Sequence, residues 1–264
     1  MMRNRLATAI LLIGATAMPT TAGQFEDLGI PVRKAGLMGA IVGPDERGEL
    51  TKLYFNFNQN GAPLFLVQVD PNTGDSKQFN SPQGPGAWGF IVGPDKKVYL
   101  GTWDGGLILR FDPAQPDKGI EVVGKPSESE SYLWMYTVGK DGKLYACTYG
   151  NAKLVSYDPA TGQMADLGRM DPTEQYSRSV ATGADGWIYT GIGMARGSIV
   201  AHDPRTGRHQ LAIPEEHCAQ GCGAVWNGSD GNAYGRLRAH TYRFVDGKAT
   251  EIKPEEADSR TAAS

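Results

Sequence analysis

The sequence predicts an all-β domain built from about five copies of one four-stranded unit. Two turn motifs recur along the chain with one shared period of about 45 residues. The first is Gly-x-Asp, with steps of 50, 46, 44 and 45 residues. It begins at Gly43, Gly93, Gly139, Gly183 and Gly228. The second has steps of 42, 46, 45 and 43 residues and contains Asp70, Asp112, Asp158, Asp203 and Asp246. Two markers with one period indicate a true internal repeat.

The third copy shows what one unit contains. Strand-like runs rich in Val, Leu, Tyr and Trp cover residues 134–138, 143–148, 153–157 and 164–167. Gly, Asp, Asn or Pro bounds each run. Asp141-Gly142 is a hairpin signal because glycine tolerates the positive φ that such turns need. No helical period extends through any copy. Four strands in about 45 residues are typical of one blade of a β-propeller.

The composition agrees with a folded, turn-rich protein. Glycine and proline supply 35 and 16 of the 264 residues, and 40% of the residues are hydrophobic. That content is enough for a core and excludes wholesale disorder. The formal net charge is −3, so the chain has no basic excess. We therefore expect no nucleic acid as a partner.

The two ends of the chain differ from the repeats. Arg3 and Arg5 precede an apolar stretch over residues 6–18 and small residues at 20–23, which predicts a signal peptide over residues 1–23. The stretch is too short to span a membrane comfortably. We expect a secreted or periplasmic protein without a membrane span. The propeller domain is predicted over residues 24–256, and the polar residues 257–264 are predicted to be a disordered tail.

The number of predicted strands does not match a closed ring of five units. Residues 25–29 echo residues 164–168, the outermost strand of the third copy. Five units plus this strand make twenty-one strands, whereas a closed ring of five needs twenty. Either the last strand, near residues 249–252, is displaced, or the chain is a partial propeller. We favour the partial propeller, whose free strand edge would expose backbone hydrogen-bonding groups.

Three cysteines leave alternatives open. Cys147 lies in an apolar run and is expected to be buried. Cys218 and Cys222 could form a disulfide in an oxidising compartment, bind a metal together with His217, or remain free thiols. We assign no metal site from the sequence, and no motif identifies a cofactor.

One face of a propeller carries the candidate site. The connections between blades and the loops between second and third strands emerge together beside the central channel. Aromatic rings suit sugars, and arginine suits carboxylates. The candidate substrate-binding residues are Trp88, Trp103, Tyr132, Tyr149, Arg196 and Arg236. The candidate catalytic residues are His240, Tyr176, Arg178, Arg238 and His217. Alternatively, the aromatic residues only pack between blades, and residues 236–240 form a solvated turn.

The amino-acid sequence of the repeats resembles that of secreted bacterial propellers. Residues 143–162 and 174–179 are similar to polysaccharide lyases acting on ulvan or rhamnose–glucuronate linkages, and to virginiamycin-B-lyase-like propellers. The resemblance covers residues 24–256 and rests mostly on blade turns, which specify fold rather than activity. It implies about seven blades, against the five copies found here.

The sequence leaves two functions open. A uronate lyase working by β-elimination needs a base, an acid and a cation on the carboxylate. His240 or His217 could be the base, and Tyr176 or Tyr149 the acid. The cation could come from Arg178, Arg196 or Arg238. The alternative is a non-catalytic propeller that binds a glycan or a protein partner.

Overall fold

The computed structural model describes residues 35–59 and 61–258 and shows an all-β protein of five consecutive units. Helix is confined to three short 3₁₀ turns in this part of the chain, at Pro116–Lys118, Glu215–His217 and Pro254–Glu256. The predicted fold class is therefore confirmed. The predicted signal peptide and the strand at residues 25–29 lie outside the described residues, and the domain boundaries stay predictions.

Each unit is an antiparallel run of neighbouring strands. Unit 1 contains β1 (Ala35–Pro44), β2 (Leu50–Gln59), β3 (Ala62–Val69) and β4 (Ser76–Asn80). Unit 2 contains β5 (Ala87–Val92), β6 (Val98–Thr102), β7 (Ile108–Phe111) and β8 (Ile120–Gly124). Unit 3 contains β9 (Tyr132–Val138), β10 (Leu144–Tyr149), β11 (Lys153–Tyr157) and β12 (Met164–Arg169).

The last two units vary this pattern. Unit 4 contains β13 (Tyr176–Thr182), β14 (Ile188–His202), β15 (His209–Leu211) and β16 (Ala219–Cys222). Residues 188–193 of β14 pair with β13, while residues 200–202 pair with β15, so β14 takes the place of two strands. Unit 5 contains β17 (Ala224–Asn227), β18 (Ala233–Leu237), β19 (His240–Val245) and β20 (Lys248–Ile252). A single pair, Tyr149 with Tyr176, joins units 3 and 4 into one sheet.

The Gly-x-Asp turns have a repeated structural cause. A Cβ built on Gly139 would lie 2.6 Å from the ring of Tyr145, six residues later, and the Tyr145 hydroxyl donates a 2.8 Å hydrogen bond to Asp141. The glycine makes room for the ring, and the aspartate accepts from its hydroxyl. The same hydroxyl-to-carboxylate bond joins Tyr99 to Asp95, Tyr189 to Asp185 and Tyr234 to Asp230.

Apolar cores lie between consecutive units. Tyr54 and Leu66 of unit 1 pack in one cluster with Leu100 and Phe111 of unit 2, and similar clusters join units 2 and 3, 3 and 4, and 4 and 5. Within residues 35–59 and 61–258, no core cluster, strand pairing or hydrogen bond joins unit 1 to unit 5. On β1, Leu37 is 57% exposed. The described residues therefore do not close the ring.

The end of the chain contacts unit 5. The indole N–H of Trp226 donates to the carbonyl oxygen of Asp258 at 2.9 Å, and the Ser229 hydroxyl donates to the Asp258 carboxylate at 2.6 Å. The first residues of the predicted tail are thus held against β17. None of the helices in the described ranges is long and apolar enough to cross a membrane.

Candidate functional site

The repeat places three aromatic side chains at the same end of the first strands of units 2, 3 and 4. Trp88, Tyr132 and Tyr176 follow one another in steps of 44 residues, at or near the start of β5, β9 and β13. In unit 3, the Gly139 turn follows the other end of β9. Equivalent positions in neighbouring units bring these three rings to the same side of the molecule, away from the repeated turns.

These rings belong to a continuous aromatic surface across units 2, 3 and 4. We use this name for Trp88, Trp103, Tyr132, Trp134, Tyr149 and Tyr176. Ring centroids are 5.2 Å apart for Trp88–Trp103, 5.5 Å for Trp88–Trp134 and 6.2 Å for Trp134–Tyr176. They are 4.5 Å apart for Tyr149–Tyr176 and 5.0 Å for Tyr132–Tyr149. Trp88 remains 45% exposed, so the surface is open to a ligand.

Arg178 adds a positive charge to this surface. Its guanidinium carbon lies 5.1 Å from the ring centroid of Trp134 and 6.0 Å from that of Tyr176, which is cation–π geometry. The side chain is exposed, and no carboxylate among the described residues forms an ion pair with it. The planar guanidinium is therefore held beside the rings with its hydrogen-bond donors available to a ligand.

The phenol group of Tyr176, beside Arg178, holds its proton more firmly than an ordinary tyrosine. Burial and the adjacent Tyr149 hydroxyl raise the pKa of Tyr176 above its usual value near 10. Tyr176 can therefore donate a proton or a hydrogen bond to a ligand oxygen, but it is a poor base.

The space beneath the surface is small. A cavity of about 170 Å³ lies beside Trp88, lined also by Phe90, Met135 and Tyr136. Pockets that enclose small molecules typically measure about 300–1,000 Å³. A ring-containing ligand would therefore lie across the aromatic surface rather than inside this cavity.

Two buried carboxylates, which sequence reasoning missed, hold the loops beside the surface. Glu130 is 2% exposed and accepts hydrogen bonds from the Thr148 hydroxyl at 2.5 Å and the Asn151 backbone at 3.1 Å. Glu174 accepts from the backbone of Met194 at 2.6 Å and from that of Arg196. Both belong to a Glu-x-Tyr sequence repeated after 44 residues, the signal that could have revealed them.

The other predicted arginines lie in separate contacts. Arg196 forms an ion pair with Glu215 and approaches Asp171 to 3.5 Å. Arg238 donates to the Gln220 carbonyl at 3.0 Å. Arg236 lines a different cavity, beside Trp226. No hydrogen bond, ion pair or ring contact in the described ranges links these three arginines to the aromatic surface. Of the arginines predicted for the site, only Arg178 therefore directly contacts the aromatic surface.

The two predicted histidines form a group of their own, with His240 in unit 5 and His217 in the 3₁₀ turn before β16. The rings of His217 and His240 stack with centroids 3.8 Å apart and an angle of 12°. His217 Nδ1 lies 2.7 Å from the Tyr242 hydroxyl, and His240 Nδ1 lies 2.7 Å from Glu251. Among residues 35–59 and 61–258, no direct contact joins this group to Tyr176 or Arg178.

The cysteines are unpaired. Cys147 is buried, as expected, and Cys218 and Cys222 are free thiols. Residues 219–222 form the extended strand β16, and at about 3.3 Å per residue the two α-carbons are too far apart for a disulfide, which needs about 4.4–6.8 Å. The disulfide alternative is therefore wrong. Burial raises the pKa of both thiols. Among the described residues, the group around His217 that could hold a metal contains no cysteine.

Comparison with known proteins supports the fold. No protein-family model and no curated protein matches the chain. Virginiamycin B lyase from Staphylococcus aureus is similar in structure, with a TM-score of 0.62, 16% identity, and coverage of 86% of this chain and 73% of that one. A streptogramin B lyase gives a TM-score of 0.61, 18% identity, and coverage of 84% and 70%.

A third neighbour carries a different name. A 6-phosphogluconolactonase-like protein from Bacteroides uniformis gives a TM-score of 0.56 with 14% identity, covering 76% of this chain and 67% of that one. This chain is a β-propeller. Because all three identities are low, the likeness establishes the fold and not the activity. The neighbours support the virginiamycin-B-lyase-like resemblance, and none of these three is an ulvan or rhamnose–glucuronate lyase.

Proposed function

We propose that this protein binds a uronate-containing oligosaccharide or polysaccharide across its aromatic surface, with Arg178 pairing a sugar carboxylate. The observation that carries the proposal is the direct contact of the exposed Arg178 with Trp134 and Tyr176, two members of a continuous set of six aromatic rings. Sugar rings present apolar C–H faces that stack on aromatic rings, and a carboxylate accepts two parallel hydrogen bonds from a guanidinium.

The surroundings favour an anionic ligand of this kind. Arg178 has no acidic partner among the described residues, so a ligand carboxylate would not have to displace one. The chain as a whole carries a net charge of −3, so the attraction of an acidic sugar has to come from Arg178 rather than from the overall charge. Binding would therefore depend on local stacking and one or a few ion pairs.

Elimination is the second candidate, and the Tyr149–Tyr176 pair beside Arg178 is the observation in its favour. Tyr176 could protonate the leaving oxygen while Arg178 neutralises the carboxylate. The same reaction needs a base for the α-proton. Both histidines considered for that role lie in the unit 5 group, outside the contacts of the aromatic surface. The geometry therefore supports binding better than catalysis.

The proposal is tested by calorimetric titration with a glucuronate oligosaccharide and with its neutral, carboxyl-reduced counterpart. We expect the acidic ligand to bind more tightly. Arg178→Gln should remove that preference and leave the residual stacking affinity. Arg236→Gln is the matched control, since Arg236 is also exposed but lies outside the surface.

Equal affinity for the two ligands, or an equal loss in both variants, would overturn the proposal. A parallel incubation followed by ultraviolet absorbance separates binding from elimination, because only elimination creates a conjugated double bond.

A further inference from the structure

We propose that His217, His240 and Glu251 form a binding site for one divalent first-row transition-metal ion of the zinc type. One potential ligand atom from each residue lies within 4.8 Å of the other two. The group lies in unit 5 and at the turn before it, apart from the aromatic surface. The inference does not depend on the proposed function.

The fold brings the three residues together from distant parts of the sequence. His240 begins β19, and Glu251 on β20 lies opposite Tyr242 in the strand register. Side chains at alternate positions of a strand share one face, so His240, Tyr242 and Glu251 lie on the same side of unit 5. The short 3₁₀ turn Glu215–His217 places the His217 ring against that of His240.

Tyr242 orients the first histidine for a metal. It is buried, and its hydroxyl lies 2.7 Å from His217 Nδ1. When the Nδ1 proton is donated to this oxygen, the lone pair of Nε2 is left available. A metal-bound histidine usually donates its other ring proton to a fixed oxygen in this way.

The stacked rings bring two imidazoles and a carboxylate to one place on the surface. The imidazoles are nearly parallel, 3.8 Å apart, and Glu251 approaches one of them, at His240 Nδ1. A divalent ion binds histidine rings in their neutral form. The ligand atoms of a tetrahedral zinc ion are ~3.3 Å apart, given bonds of about 2.0–2.1 Å. The three side chains would therefore have to reorient, with Glu251 moving away from its 2.7 Å contact and the rings turning out of their stack, to reach this spacing around an ion.

The donor set indicates the class of ion. Two imidazole nitrogens and one carboxylate suit zinc, cobalt, nickel and ferrous iron, whereas magnesium and calcium prefer sites made of oxygen. The side chains of His240 and Glu251 are 35% and 51% exposed, so water can complete the coordination. This ligand set replaces the combination of His217 with two cysteines that the sequence suggested.

The experiment is a titration of the metal-free full-length protein with zinc chloride, followed by calorimetry and thermal unfolding. We expect one ion per chain and a rise in Tm of about 5 °C or more at a hundredfold excess over Kd, because the ion binds only the folded arrangement. His240→Ala and Glu251→Gln should each weaken binding at least about tenfold. The matched control His209→Ala replaces an exposed histidine elsewhere and should leave binding unchanged. Magnesium should not bind.

A second readout keeps the test independent of folding. Cobalt should give a visible absorption spectrum that Cys218→Ser preserves and Glu251→Gln removes, with circular dichroism showing that both variants are folded. Loss of the spectrum in Cys218→Ser, retained zinc binding in His240→Ala, or the absence of one-to-one binding would each overturn the proposal.

Discussion

In units 2, 3 and 4, the first strand has a turn end, beside the Gly-x-Asp turn, and an aromatic end, beside the aromatic surface. The residues at the two ends repeat differently from unit to unit. At the turn end, Gly139, Asp141 and Tyr145 of unit 3 make contacts that recur almost unchanged in units 2, 4 and 5. At the aromatic end, equivalent positions hold Trp88 in unit 2 and tyrosines, Tyr132 and Tyr176, in units 3 and 4, and all three rings are only partly buried.

This difference separates stability from binding. The contact that recurs in units 2 to 5 satisfies a need that these units share, namely packing a tyrosine ring and closing a hairpin. A side chain that changes from unit to unit, while staying at one end of the strands, is free to meet a ligand that touches several units at once. We therefore expect substitutions at the two ends to affect different measurements.

The largest effect is expected at the turn end. Tyr145 is 2% exposed, so Tyr145→Ala would leave a cavity and remove the hydrogen bond to Asp141. The free energy of unfolding should fall by about 3–5 kcal/mol, measured by denaturant titration. The affinity of the remaining folded protein for an acidic oligosaccharide should stay within about twofold of wild type, since Tyr145 lies at the other end of the strand. A small stability change with lost binding would reverse the assignment of the two ends.

Replacing Glu130 is expected to change both the free energy of unfolding and the affinity for the oligosaccharide. Glu130→Gln keeps the shape but removes the charge that accepts from Thr148 and Asn151, so the free energy of unfolding should fall by about 1–3 kcal/mol. Because Asn151 follows Tyr149 by two residues, oligosaccharide binding should weaken as well, by less than in a direct surface variant. An exposed control, Glu128→Gln, should change neither quantity. Full affinity in Glu130→Gln would show that the loop needs no such support.

Trp88 tests the aromatic end directly. Trp88→Ala removes a 45% exposed ring that contacts Trp103 and Trp134, and the affinity for the oligosaccharide should fall about tenfold, equivalent to ~1.4 kcal/mol. The free energy of unfolding should change by about 0.5 kcal/mol or less, as for most surface substitutions. A loss of stability without a loss of affinity would mean that the ring packs between units and does not bind ligand.

The smallest expected effect is on the pH dependence of stability, through a buried histidine at the turn end. His202 is 2% exposed, and burial, followed by the charge of His209, lowers its pKa below the usual 6.5. The folded state therefore keeps His202 neutral where the unfolded state takes up a proton, so its contribution to stability is lost as the pH falls below about 6.5. Thermal unfolding from pH 7 to 5 should show a shallower decline in His202→Gln than in wild type. An identical decline would contradict a neutral, buried His202.

Most of the fold could be predicted because it repeats. The two turn motifs gave the period, and the observed strands of unit 3 match the predicted ones to within two residues at each end. Tyr145 lies at a fixed distance of six residues from Gly139, so even this tertiary contact leaves a local sequence signal.

The candidate site could be predicted only in part, because its contacts are not local. The 44-residue step brings Trp88, Tyr132 and Tyr176 together. By contrast, the contact of His217 with His240 depends on how the 3₁₀ turn Glu215–His217 packs against β19. No spacing in the sequence predicts that packing. Trp134, left out of the predicted binding residues, joins the surface because its ring faces Trp88 and Tyr176 across unit boundaries.

The central claim, that the aromatic end binds an acidic sugar, is tested most directly by tryptophan fluorescence. Three of the five tryptophans belong to the aromatic surface, whereas Trp187 packs between units 4 and 5 and Trp226 contacts Asp258. Titration with a glucuronate oligosaccharide should change the emission with saturation. The change should nearly disappear in the variant carrying Trp88→Phe, Trp103→Phe and Trp134→Phe together. No change in wild type, or the same change in the triple variant, would contradict the account.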